Sequence, residues 1–385
     1  MGDKRTHRRD ITMANQWMAC GLLTLGAVTA SGCAKAVATA DAMPAEARPA
    51  SSVAAMAFLS KAEAPTLASV KPPGNPKRNH FHIKPEDLAK LPVPQQPTEL
   101  AQALAAMQVG SIDARKEVLK AKVFKDMVYV RGGSFMRGDF ASLMGIEGVS
   151  RMTSKSDDKV VKEISLSDFW ISKYKVTYAE FDVFTDATGR PRTGATYGGD
   201  VRQPPTLAAR AYWQEAKNYC QWLGQLTGLP MDLPTEAQWE YAARSRGQFF
   251  MVATADGNAE FGKGVPYDAQ VEIVSPMRRL STYPVGLFPS NPLGLHDMST
   301  NGKEWVDDWY AEDAYSMAST LEPRGPATGN LKVIRGGGAD SPLIGSTVHR
   351  YKADPYPLEK DDDTGKLVAV PSSFMPALRC AVTPH

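Results

Sequence analysis

The pattern of apolar and polar positions divides the chain into four stretches. A short apolar run, WMACGLLTLGAVTA (17–30), follows a basic start at Lys4, Arg5, Arg8 and Arg9. Residues 34–96 show no sustained period and are rich in Ala, Pro, Ser and Lys, the composition of a disordered, partly extended tether. From Pro97 to residue 123 apolar residues recur at helical spacing. TELAQALAAMQ and ARKEVLKAKVF predict two short helices separated at Gly110 and Ser111. A globular pattern runs from Phe124 to residue 385. MVYVRGGSF predicts a strand, a Gly-Gly turn and a returning strand. ISLSDFWISKYKVTYAEFDVF alternates, then enters a helix at Thr177. AARAYWQEAKNYCQWLGQLTG sets Ala211, Trp213, Ala216, Tyr219, Cys220 and Leu223 near one helical face and stops at Gly224 or Gly228. PTEAQWEYAARSRG opens on a capping box, Thr235 with Gln238 three residues on, and Trp239, Ala242 and Ala243 continue the buried stripe. Irregular loops dominate from there to the C-terminus, and no internal repeat at a fixed period is present. One loop-rich α+β domain with little regular secondary structure is predicted.

Composition narrows the function classes. At 385 residues the chain can hold one large domain plus extensions. A formal net charge of +2 gives no broadly basic face, so a nucleic-acid partner is not expected. There are four cysteines and six histidines, with no CxxC pair and no HExxH, which argues against a zinc site. His80 and His82 read as solvated residues of the tether.

The N-terminus reads as an address. A basic start, a short apolar run and small residues at a cleavage point define a secretory signal. The run is shorter than the ~20 apolar residues of a comfortable membrane span. Ala30-Ser31-Gly32-Cys33 resembles a bacterial lipobox, which predicts a signal peptide over 1–33, lipidation at Cys33 and a membrane contact through that anchor. The alternative is an ordinary signal peptide cut near Ala38 or Ala40. Ala34 and Lys35 follow the cysteine, with no Asp, which favours the outer membrane. In an oxidising compartment, Cys220 and Cys380 can pair.

GLHDMSTNGKEWVDDWY (294–310) mixes turn-formers, acids and aromatic rings more densely than any other stretch. It predicts a loop wound around something polar and pinned by rings. With MVYVRGGSFMRGD, YKVTYAEF, LPTEAQWEYAAR, YPVGLFPSNPLGLHDMSTNGKEW, LKVIRGGGAD and LRCAV in this order, the region from about 124 to 385 resembles the sulfatase-modifying-factor, or formylglycine-generating-enzyme-like, family. The resemblance implies a variant of the C-type-lectin-like fold.

It also implies site residues. Oxidising members hold copper on two cysteines just after an RGGS turn. Here the turn is Arg335-Gly336-Gly337 followed by Gly338, and Ser341 and Ser346 fall in the cysteine places. A serine hydroxyl does not replace a thiolate for Cu(I), so no copper is expected. The family's calcium site maps onto Asp297, the carbonyls of Thr300 and Gly302, and Glu304, and calcium is the expected ion; the alternative is that Asp297 and Glu304 cap backbone amides with no ion. Lys303 stands where a pocket tryptophan is usual and offers an alternative internal cation. Cys220 and Cys380 match one family disulfide. Two functions follow. One is an exported pseudoenzyme lipoprotein of the outer membrane that acts by binding a protein, as an immunity protein against a toxin or effector or as a surface receptor. The other is a cysteine-independent periplasmic oxidase or tailoring enzyme acting on a small molecule such as a siderophore precursor, with Asp340, His349 and Lys303 as candidate catalytic groups. Against catalysis stands a structural pairing of Asp340 with Arg350. The insertion 356–373 carries an acidic tip expected to be solvated.

Overall fold

The computed structural model describes residues 52–62, 83–145, 148, 150–194, 202–262, 264–275, 282–337, 345–361 and 364–384. The expected signal segment with Cys33, the His80/His82 pair, Asp340 and Ser341 lie outside the described residues.

Among the described residues the helices are α1 (Ser52–Met56), α2 (Pro85–Leu88), α3 (Thr98–Ala106), α4 (Ile112–Asp126), α5 (Tyr178–Thr188), α6 (Trp213–Thr227), α7 (Glu236–Ala243), α8 (Asp268–Val274) and α9 (Ala314–Met317). The strands are β1 (Met127–Val130), β2 (Gly133–Arg137), β3 (Lys162–Leu166), β4 (Phe169–Ser172), β5 (Met231–Asp232), β6 (Glu304–Trp309), β7 (Lys332–Arg335), β8 (Tyr351–Ala353), β9 (Leu358–Lys360), β10 (Leu367–Ala369) and β11 (Ala381–Val382). They form an antiparallel sheet in the order β1-β4-β11-β5, a second in the order β6-β7-β8, and the pairs β2-β3 and β9-β10. Long loops join these small sheets, giving the α+β, loop-rich fold that the sequence predicts. None of the described helices is long and apolar enough to cross a membrane.

The helices begin and end where their sequences dictate. Thr177 and Glu180 form a reciprocal capping box on α5, as Thr235 and Gln238 do on α7. Helix α6 stops at Gly228, whose φ of 75° is the left-handed cap that glycine adopts without a Cβ clash. Gly224, the other predicted stop, lies inside α6. A Cβ there would come within 2.7 Å of the Leu229 carbonyl.

Two expectations change. MVYVRGGSF does not fold back on itself: β1 pairs with β4 and β2 with β3. Between the two strands, Asp168 accepts from Gly132 N and from the Tyr129 hydroxyl and so ties the end of β1 to the turn between β3 and β4. Second, part of the tether is ordered. The segment from α1 to Lys61 packs on the core, with Leu59 buried, Trp170 Nε1 donating to the Ser60 carbonyl at 2.8 Å and Lys61 over the Trp170 ring. The helices of 97–123 pack on the domain. Leu100, Leu104, Leu119 and Val123 join the same core as α5 and α6, and α4 runs straight into β1. Within the insertion 356–373, β9 and β10 pair as exposed strands, while Ser372 and Ser373 are buried.

The disulfide Cys220–Cys380 ties α6 to the residue before β11. Both cysteines are fully buried.

Candidate functional site

The acid-and-ring stretch divides into a loop and a strand. Residues 294–303 turn through four left-handed positions, Gly294, Asp297, Asn301 and Gly302. Asp297 and Asn301 are the costly ones, because a Cβ disfavours positive φ. Side-chain bonds hold both. Asn301 exchanges hydrogen bonds with the backbone N and O of Tyr283, and Asp297 Oδ2 accepts from Gly286 N at 2.8 Å. From Glu304 the chain is strand β6, paired with β7. Its rings lock it in place: Trp305 Nε1 donates to the Ala211 carbonyl, and Lys332 lies between the faces of Trp213 and Trp309, 3.6 and 3.7 Å from their centroids.

Glu304 is the centre of one buried ion cluster. Lys175 donates to its Oε1 at 2.5 Å and to the Gly302 carbonyl at 2.8 Å. Arg379 spans both carboxylate oxygens, each at 2.7 Å, and Trp239 Nε1 adds a fourth donor at 2.8 Å. Burial alone would push this carboxyl up; Arg379 and Lys175 outweigh it and hold it at about 2. The expected calcium set therefore does not fit a resident ion. Gly302 and Glu304 already serve protein cations, and of the side-chain oxygens only Asp297 Oδ1 is left without a hydrogen-bond partner among the described residues. The internal cation is Lys175. Lys303 instead lies half-buried with its ammonium 4.5 Å from the Tyr351 ring centroid.

A second cluster lies beneath the Arg335-Gly336-Gly337 turn. Glu236 receives Arg137, Arg335 and Arg350, while Glu240 receives Arg244, Arg335 and the Tyr315 hydroxyl. These six charged side chains are between 0% and 4% exposed. Burial opposes the Glu236 charge, but Arg350, Arg137 and Arg335 hold its carboxyl at about 2. The guanidinium of the RGG turn thus points into the protein, and Arg350 is engaged by Glu236; the Asp340 expected to pair with it lies outside the described residues. The turn needs its glycines. A Cβ at Gly337 would meet Gly345 N and the Ser299 carbonyl at 2.3 Å each.

At the surface of that turn the structure groups three residues. His349 stacks on Tyr351 with ring centroids 3.9 Å apart, and Lys303 lies over the same tyrosine. Burial, then the charges of Arg335 and Lys155, bring the His349 imidazole down to about 4, so it is neutral at neutral pH. Its Nε2 has no hydrogen-bond partner among the described residues. Ser346 is close by in the chain: its Oγ accepts from Val348 N and its carbonyl from His349 N. The copper donors would have to come from this turn. It offers the Ser346 hydroxyl, while the two domain thiols are joined to each other. Among the described residues no three His, Cys, Asp or Glu side chains converge as metal ligands would. Sequence reasoning missed Lys175, Trp239, Glu236, Glu240 and Tyr315. The signal available was the charge density of YKVTYAEF and LPTEAQWEYAAR, where acids and bases interrupt otherwise buried stripes.

Comparison with known proteins adds the following. A family model described as the sulfatase-modifying factor enzyme 1-like domain matches residues 115–356. The serine/threonine-protein kinase pkn1 of Chlamydia caviae is 29% identical over 246 residues, covering 58% of this chain and 35% of that protein. The chain thus spans about a third of the length of the chlamydial relatives. The formylglycine-generating enzyme of Thermomonospora curvata is 27% identical over 267 residues, covering 56% of this chain and 83% of that enzyme. Among solved structures, PvdO from Pseudomonas aeruginosa aligns with a TM-score of 0.48 at 23% identity, over 67% of this chain and 94% of that one.

Proposed function

The chain belongs to the sulfatase-modifying factor enzyme 1-like family, and from that membership we propose that it keeps the family fold but works by binding, without copper-thiolate oxidation. The carrying observation is where the sulfur goes. The chain has four cysteines, at positions 20, 33, 220 and 380, and the two in the domain form one buried disulfide. Copper(I) needs soft ligands, and Ser346 is a hard hydroxyl. The recognition surface is the half-buried patch of Lys303, His349 and Tyr351, which combines a cation, a neutral imidazole and an aromatic face. Aromatic and cationic groups set at a desolvated centre are the usual anchors of protein interfaces. The partner is a protein of the compartment reached by export, such as a toxin or effector that the protein neutralises. Cys33 anchors the protein to the outer membrane through lipid.

A photo-cross-linking residue placed at Lys303 or Tyr351 in living cells tests this. The reading expects a discrete adduct from both positions and none from the exposed control position Lys84. Adducts from the control alone, or from no position, refute it.

One observation favours a second reading. The buried Nε2 of His349, without a hydrogen-bond partner among the described residues, suits a small ligand that the imidazole hydrogen-bonds, as in a cysteine-independent tailoring enzyme in which Asp340 or Lys303 assists. Under that reading His349→Gln abolishes turnover of the small molecule while the cross-link pattern is empty.

A further inference from the structure

We infer that the Lys175 ammonium, backed by the Arg379 guanidinium, is a built-in cation for the loop 297–304, so that this domain folds without calcium there. The inference does not depend on the proposed function. It rests on three observations. The first is donor use. Lys175 Nζ bridges the Gly302 carbonyl and Glu304 Oε1, and Arg379 takes both Glu304 oxygens and, through Nη2, the His296 carbonyl. Calcium wants six to eight oxygens, and here the strongest donors of the set are already bonded to nitrogen.

The second observation is charge. Asp297 and Glu304 bring two negative charges to this buried region, and Lys175 and Arg379 bring two positive ones. The four side chains are all buried. An added dication would leave two uncompensated charges out of water beside an ammonium, which a low-dielectric interior strongly disfavours.

The third is how Lys175 is held. Its neighbours on both sides are pinned by backbone bonds: Lys173 N to the Asp126 carbonyl, the Lys173 carbonyl from His296 N, and Val176 N to the Leu378 carbonyl. Thr177 then caps α5. The junction between β4 and α5 therefore drives this side chain into the loop, and its fully buried position is a property of the fold.

Thermal unfolding of the full chain in millimolar calcium and in excess chelator, with the metal content of the purified protein, tests the inference. The parent protein should melt within about 1 °C in the two conditions, as expected when no ligand favours the folded state, and should retain no stoichiometric calcium. Lys175→Gln should lower the melting temperature in chelator by about 5–10 °C, since it leaves a buried carboxylate short of a cation. A parent protein that carries calcium or loses several degrees in chelator overturns the inference. So does a Lys175→Gln variant as stable as the parent in chelator. If that variant does not fold, the parent measurement alone still decides.

Discussion

Trp239 donates its indole N–H to Glu304 Oε2 at 2.8 Å, and so joins the two buried ion clusters of the domain. The Arg335 guanidinium of the other cluster lies 5.2 Å from the same ring. One side chain of α7 therefore holds β6 by a hydrogen bond and β7 by a cation–π contact. Trp239→Phe keeps an aromatic ring but removes a donor from a buried carboxylate. It should cost about 2–4 kcal/mol, read as a shift in the urea midpoint with unchanged slope. A change below about 0.5 kcal/mol, the range of an ordinary surface substitution, would mean that the two clusters are independent.

Glu236→Gln should be more damaging. It leaves Arg137, Arg335 and Arg350 facing one another in a buried site with Glu240, and Asp157 3.8 Å from Arg350, to answer them. Breaking such a cluster from one side costs about 3–5 kcal/mol. Denaturant unfolding followed by circular dichroism reads it, and the far-UV spectrum shows whether the variant folds at all.

Stability should fall in two stages as pH is lowered. His349 ordinarily titrates at 6.5 and is held at about 4 in the fold. The unfolded chain takes up that proton first, so this contribution is complete above pH 6.5 and is lost as pH falls towards 4. Glu236 and Glu304 ordinarily titrate at 4.5 and are held at about 2. Their contribution is complete above pH 4.5 and is lost as pH falls towards 2. His296, whose imidazole burial also lowers, contributes in the same direction, so His349→Gln should shrink the upper stage and leave the lower one, measured as melting temperature against pH.

The buried disulfide spans 160 residues of sequence. Restricting the unfolded chain over so long a loop contributes about 4–5 kcal/mol in the chain-entropy account. The Cys220→Ala/Cys380→Ala double variant should lose stability of that order in denaturant, and reductant should change the parent but not the variant.

What the sequence made legible were the features carried by local chemistry. Thr177 and Thr235 announce their helices, and the structure gives both the side-chain caps. The β1–β2 relationship was illegible because each strand pairs with a partner 25 or more positions away in sequence, β1 with β4 and β2 with β3. The docked segment around Leu59 was hidden by its Ala- and Pro-rich surroundings; the contacts that hold it, Leu59 in the core, the Trp170 indole bond, Lys61 over that ring and Phe58 against Phe124, follow no period. Lys175 was read as part of an alternating strand because nothing in YKVT states that the ammonium meets a carboxylate 129 positions away. The candidate patch was half legible. Lys303 and His349 were singled out, but the tyrosine that brings them together was not.

The most direct test of the central claim is an assay of the copper-loaded protein under oxygen on a cysteine-containing sulfatase peptide, with the formylglycine product followed by mass spectrometry and an authentic formylglycine-generating enzyme as control. The account predicts no copper-dependent product from this protein while the control turns over. Copper-dependent formylglycine formation by a protein whose Cys220 and Cys380 remain joined would contradict it.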